Sequence, residues 1–178
     1  MFQATSDALD VRLRRLWAHN VQVAAIAKVL AMAFRHLTQE QALLAGLIHD
    51  IGALPILVRA EEEPELLEDE ALLDEIVTEL HTTVGKSILE RWEFPETLVA
   101  VAAEHEDLNR DPGGDVDYVD LVIVANLQSY IGSDHPHAKA DWSRIPAFER
   151  VGIEPDINIV DVEGAAEQIQ EVQDVFGA

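Results

Sequence analysis

The chain has 178 residues, 48% of them hydrophobic, and no cysteine. Its 12 Lys and Arg stand against 34 Asp and Glu, for a formal charge of −22. These figures exclude disulfides, thiolate metal sites and thiol catalysis, and they argue against nucleic acid, whose phosphates require a basic patch. The one basic cluster, Arg12, Arg14 and Arg15, reads as a solvated helix face. Anionic lipid would repel so acidic a chain. No apolar run reaches about 18 residues, so no transmembrane helix is expected. The N-terminus lacks the basic region and apolar stretch of a signal peptide. The length suits a single domain spanning 1–178, and the lack of cysteine suits a reducing cytoplasm.

Helical periodicity is widespread and strand-like alternation is rare, which predicts an all-α fold of roughly seven to nine helices. The first helix is expected over residues 7–35, capped by Ser6 or Asp7, with Leu16, Val23, Ile26, Leu30 and Ala33 as its apolar stripe. Thr38 and Gln41 have the spacing of a capping box, opening a second helix that ends near Gly52. The acidic stretch 61–70 reads as a solvated edge. One helix is expected over 71–78 and another from about His81 to Trp92. Pro95 suits the first position of the next, with Glu96 beside its positive end. Residues 107–117 form a loop by composition. Residues 118–131 read as a buried helix, with a strand over 119–124 as the alternative. A polar loop over 132–137 follows, in which His135 and His137 read as solvated. The tail, 161–176, is amphipathic and is expected to pack on the same core.

Certain polar residues sit where apolar ones belong. His19 interrupts the stripe of Leu16, Val23 and Ile26. His81 leads the stripe of Val84, Gly85, Ile88 and Trp92. His105 follows Leu98, Val101 and Ala102, and Asn126 lies among Val119, Val122, Ile123 and Tyr130. A buried polar group without a partner costs about 1–3 kcal/mol. Four on separate helices are expected to satisfy one another or a shared ligand.

His49 and Asp50 close an apolar helix built on residues 42–48. An Asp in a last turn meets the negative end of the helix dipole, so a cation or imidazolium is expected beside it. Imidazole and carboxylate together suit Fe, Mn, Zn or Co. The alternative is an Asp that caps a neighbouring element or orients a histidine. Glu104, beside His105, is either a general base or metal ligand, or an exposed charge. His36, near a helix end, reads as an imidazolium favoured by the helix dipole. There is no phosphate-cradling glycine loop, nucleophile elbow or HExxH.

Residues 45–52 read AGLIHDIG, which resembles the HD superfamily of metal-dependent phosphohydrolases. Residues 80–95, LHTTVGKSILERWEFP, resemble the HDOD (HD-related output domain) branch. So do LWAHNVQVAAIA over 16–27, AAEHED over 102–107 and IVANL over 123–127. The ordered matches span about 16–131.

The resemblance implies a helical HD-superfamily domain whose metal ligands are His19, His49, Asp50, His81, His105 and Asn126, with Asp50 and Glu104 as candidate catalytic groups. It also exposes departures. Asn126 stands where the phosphohydrolases have an aspartate, Glu104 where the paired motif has its first histidine, and Ala53 where cyclic-dinucleotide phosphodiesterases of the HD-GYP type have a lysine. Family members usually carry further helices before the one holding His19, so a shortened member or part of one is expected. The function implied is a regulatory output domain that binds a signalling protein or a small phosphorylated ligand. The alternative is a phosphohydrolase acting on a phosphoester or nucleotide. Any metal is expected as a single ion or a partly occupied pair.

Overall fold

Acidic residues at the start and an alanine-rich middle favour a long helix, and α1 runs Asp7–Ala31. The structure, a computed structural model, describes residues 7–177; Ser6, one of the two expected caps, lies outside them. Among these residues are nine α-helices and three short 3-10 helices, with no strand. After α1 come α2 (Gln39–Ile48), α3 (Ala53–Ala60), α4 (Pro64–Glu68) and α5 (Glu70–Arg91). Then follow α6 (Glu96–Glu104), α7 (Tyr118–Ser129), α8 (Pro146–Val151) and α9 (Ala165–Phe176).

Local sequence explains most of these boundaries, and long-range contacts explain the departures. Helix α1 stops at Ala31, so Ala33 falls outside it and is exposed. Thr38 caps α2 by accepting from the Gln41 backbone N–H. The Gln41 side chain does not return the bond. It accepts from the Tyr118 hydroxyl at 2.6 Å, and that hydroxyl accepts from the Thr38 N–H at 3.0 Å. A tyrosine from α7 thus completes the cap. The two helices expected over 71–78 and 81–92 are one, α5, because no glycine or proline interrupts residues 78–81. Its buried stripe is Leu73, His81, Gly85 and Leu89, while Trp92 is 60% exposed.

Helix α7 is the centre of the molecule. Every residue from Tyr118 to Gln128 is buried, against α1, α2, α6 and α8. A helix that carries apolar residues on every side belongs in a core. Asp117 and Asp120 form a full capping box at its start, which selects helix over the strand alternative. Asp120 is completely buried and is held by Arg150 at 2.8 Å and Arg110 at 3.3 Å. Helix α9 packs on α1, with Ile169 and Val172 in the same core. A smaller cluster of Leu9, Leu57, Ala60 and Leu73 joins α1, α3 and α5.

Two glycines set how closely the helices approach. A Cβ on Gly46 would collide with the Ala24 backbone of α1, and one on Gly52 would collide with the His81 carbonyl of α5. Helix α2 therefore lies directly on α1, and the α2–α3 turn, carrying His49 and Asp50, directly on α5. The stretch Gln39–Ala60 is, contrary to expectation, long and apolar enough by composition alone to cross a membrane. It breaks at the turn 49–52, and Ala42, Ala45, Ala53 and Leu57 bury themselves in the domain core.

Candidate metal centre

Each candidate ligand is set by a short piece of local structure. His49 and His105 occupy the C-caps of α2 and α6, and His81 lies within α5. Each of these rings turns back on its own helix. His49 Nδ1 bonds the Gly46 carbonyl at 2.7 Å, His81 Nδ1 that of Val77 at 2.9 Å, and His105 Nδ1 that of Val101 at 3.0 Å. Only an N–H can bond a carbonyl, so the proton of each neutral ring is on Nδ1 and the lone pair on Nε2. His19 follows the same rule from α1. The Ser129 hydroxyl donates to the Asn126 carbonyl, so it accepts from His19 Nδ1, at 3.4 Å. Asn20, next along α1, donates to the Leu47 carbonyl and ties α1 to α2 just before His49.

The Nε2 atoms converge on one carboxylate. Asp50 Oδ2 lies 3.4 Å from His49 Nε2 and 3.7 Å from His19 Nε2. Asp50 Oδ1 lies 3.2 Å from His105 Nε2 and 3.4 Å from His81 Nε2. The paired nitrogens of His19 and His49 are 3.3 Å apart, as are those of His81 and His105. The ligand atoms thus form two groups, His19–His49–Asp50 and Asp50–His81–His105, each within 4.8 Å. Lone pairs that face one another across such distances repel unless a proton or a cation lies between them. Neutral imidazoles around a carboxylate are the donor set of a divalent transition metal. The residues therefore fit such an ion, with Asp50 shared between the two groups.

The electrostatics favour neutral rings at His49 and His19. Burial pushes the His49 imidazole down to about 3, so it stays neutral through the physiological range. Burial also lowers His19. Burial would lower His105 too, but the Asp50 carboxylate bonded to it, with help from Glu106, holds it above its ordinary value. Burial would raise Asp50, yet the surrounding imidazoles outweigh this and hold it well below the usual carboxylate range.

His19, His49, Asp50, His81 and His105 come together around Asp50. Asn126 lies at the edge, with Nδ2 donating to Glu106 Oε1 at 3.3 Å. Its Oδ1 is buried without a hydrogen-bond partner among the described residues. Glu104 does not join. It is exposed and bonds Arg110 at 2.7 Å, because α6 ends there and the chain turns away. The acid that joins is Glu106, two residues on, which sequence reasoning passed over. Its Oε2 accepts from His137 Nε2 at 3.0 Å. Burial would raise Glu106, but the bond from His137 and the nearby imidazoles bring it down to about 2.

His135 and His137, expected in a solvated loop, line the pocket instead. Tyr130 stacks on His135 at 3.7 Å between ring centres and on His19 at 5.1 Å. No periodic stripe marks these residues; the only signal was their density of imidazoles. His36 is apart, bonded to the Val116 carbonyl.

The cavity in front of this cluster has a volume of about 160 Å3. Asp50, Ala53, His81, Glu106, Tyr130, His135 and His137 line it, with Leu16, Val77 and Thr78 as its remaining wall. It contains two carboxylates and no Lys or Arg.

A family model for the HDOD domain matches residues 1–108. The match ends before α7, so Asn126, Tyr130, His135 and His137 lie beyond it. Among solved structures, the chain is similar to the crystal structure of a "Putative metal-dependent phosphohydrolase" from Shewanella amazonensis SB2B. The TM-score is 0.79 at 20% identity, over 98% of this chain and 63% of that one. At that identity the likeness shows the helical fold, and this chain spans under two thirds of that protein. No curated protein matches.

Proposed function

Because the chain belongs to the HDOD family, we propose that it is a regulatory output domain, extending over 1–178, whose pocket holds a divalent metal and whose state is read by a signalling protein or a small ligand. The observation that carries this reading is the pocket lining. Phosphoryl chemistry needs positive groups clamped on the phosphate. The cavity has two carboxylates and no Lys or Arg, and Ala53 offers only a methyl group. Arg110 and Arg150, held by Asp117 and Asp120, are committed elsewhere. The charge of −22 adds long-range repulsion against phosphorylated substrates. The pocket is also small, since ligand sites commonly measure about 300–1,000 Å3.

A second reading, a phosphohydrolase, draws support from the donor set. The four Nε2 lone pairs and Asp50 suit Fe, Mn, Zn or Co, and a bound ion supplies Lewis acidity. Here Asp50 would hold the ion, while Glu106 and His137 form a hydrogen-bonded carboxylate–imidazole pair in the pocket lining. The test is hydrolysis of generic phosphoesters and cyclic dinucleotides by the Mn- or Fe-loaded protein. Weak or absent turnover is expected. Turnover near about 1 per second, lost in both His49→Ala and Asp50→Ala, would overturn the regulatory reading, because that rate belongs to working enzymes.

A further inference from the structure

We propose that Glu106 is a second metal-ligating carboxylate of this centre, with His137 and Asn126 as the residues that position it. The inference rests on the reading that the cluster holds a divalent metal. It starts from charge. Asp50 divides its two oxygens among four imidazoles, so one negative charge serves both ligand groups. Asn126, on the neighbouring helix, adds none.

Glu106 corrects that deficit on the side of His81 and His105. Its Oε1 lies 3.7 Å from His105 Nε2, the nitrogen that Asp50 Oδ1 also approaches. The carboxylate is clamped from outside by two donors, Asn126 Nδ2 on Oε1 and His137 Nε2 on Oε2. A carboxylate has about four lone-pair sites, and these bonds occupy one on each oxygen. The remaining pairs are free for a cation. A ligating carboxylate steadied by outer hydrogen bonds is the usual construction of a metal site, and loss of such a partner commonly costs about 10–100-fold in affinity.

The arrangement also gives the loop after α7 a purpose. His137 lies at its far end, in a 3-10 helix over Pro136–Lys139. Through Glu106 it joins that loop to the ligand shell, so metal content and loop position are linked.

The experiment is a Co(II) titration of the metal-free full chain, followed by visible absorption and by elemental analysis of bound cobalt. Glu106→Gln keeps the size of the side chain and removes its charge. It is expected to weaken cobalt binding ~10-fold or more and to alter the cobalt spectrum. His137→Ala is expected to weaken binding less and to leave the number of bound ions unchanged. Melting curves of the metal-free variants check that each is folded. If Glu106→Gln does not fold, Glu106→Asp, which keeps the charge but falls one methylene short, is expected to show the weakened binding. Glu106→Gln with wild-type affinity and spectrum would overturn the proposal while leaving the metal centre standing. Wild-type protein that binds no cobalt would overturn both.

Discussion

Asp50 Oδ1 lies 3.2 Å from His105 Nε2, although the two residues sit at the ends of different helices. The contact is made possible by Gly52, whose missing side chain lets the α2–α3 turn lie on α5 beside the other imidazole, His81. This pair anchors the cluster, and its chemistry can be tested without any metal.

Burial opposes charge on His105, and Asp50 is the main group that restores it. In metal-free protein, Asp50→Asn is therefore expected to lower the His105 pKa, since it removes the opposite charge that favours the imidazolium and leaves burial unopposed by it. A pH titration of the ring signals by NMR measures it. An unchanged value would show that Asp50 does not set the His105 charge.

His49 predicts a pH dependence of stability. Its folded pKa, about 3, lies below its unfolded value near 6.5. Between these the unfolded chain binds the extra proton, so stability rises with pH across that window and is lost as pH falls from about 6.5 toward 3. The slope from one such group is up to about 1.4 kcal/mol per pH unit. Metal-free His49→Gln is expected to unfold with a shallower dependence in denaturant titrations over this range. A slope equal to that of wild type would contradict the assignment.

Gly52→Ala is expected to destabilise the protein by about 1–3 kcal/mol, the usual cost of overpacking. The added methyl meets the His81 carbonyl, a backbone atom that cannot rotate away. It should also weaken metal binding by moving Asp50 off His81. Thermal melting and cobalt titration read the two effects separately; wild-type behaviour in both would show that the close approach is not required.

Asp120→Asn is expected to cost about 3 kcal/mol, because Arg110 and Arg150 would lose a completely buried carboxylate. Denaturant unfolding measures it. A loss below about 0.5 kcal/mol would show that Asp117 and the backbone carbonyls of Gly114 and Asp115 satisfy both guanidiniums unaided.

The amino-acid sequence alone determined the all-helical architecture and pointed to most of the side chains that gather around Asp50. Stripes of period 3.6 are local, so polar residues such as His81 and His105 stand out against their own neighbours. The motif at His49 and Asp50 stood out likewise, as an acid at the wrong end of a helix dipole. Glu106 and His137 carried no such mark. Glu104 and Glu106 are chemically alike and two residues apart, and the end of α6 between them decides which faces the cluster. His135 and His137 lie outside any α-helix, so no local pattern fixes their direction. Their place at the pocket depends on Tyr130 stacking and on Glu106, contacts that form only once α6 and α7 are packed. The same holds for the cap of α2, completed by Tyr118, 77 residues away from Gln41. Local periodicity specifies helices and their buried faces, whereas the outer shell of the site is set by which loops the packed helices bring together.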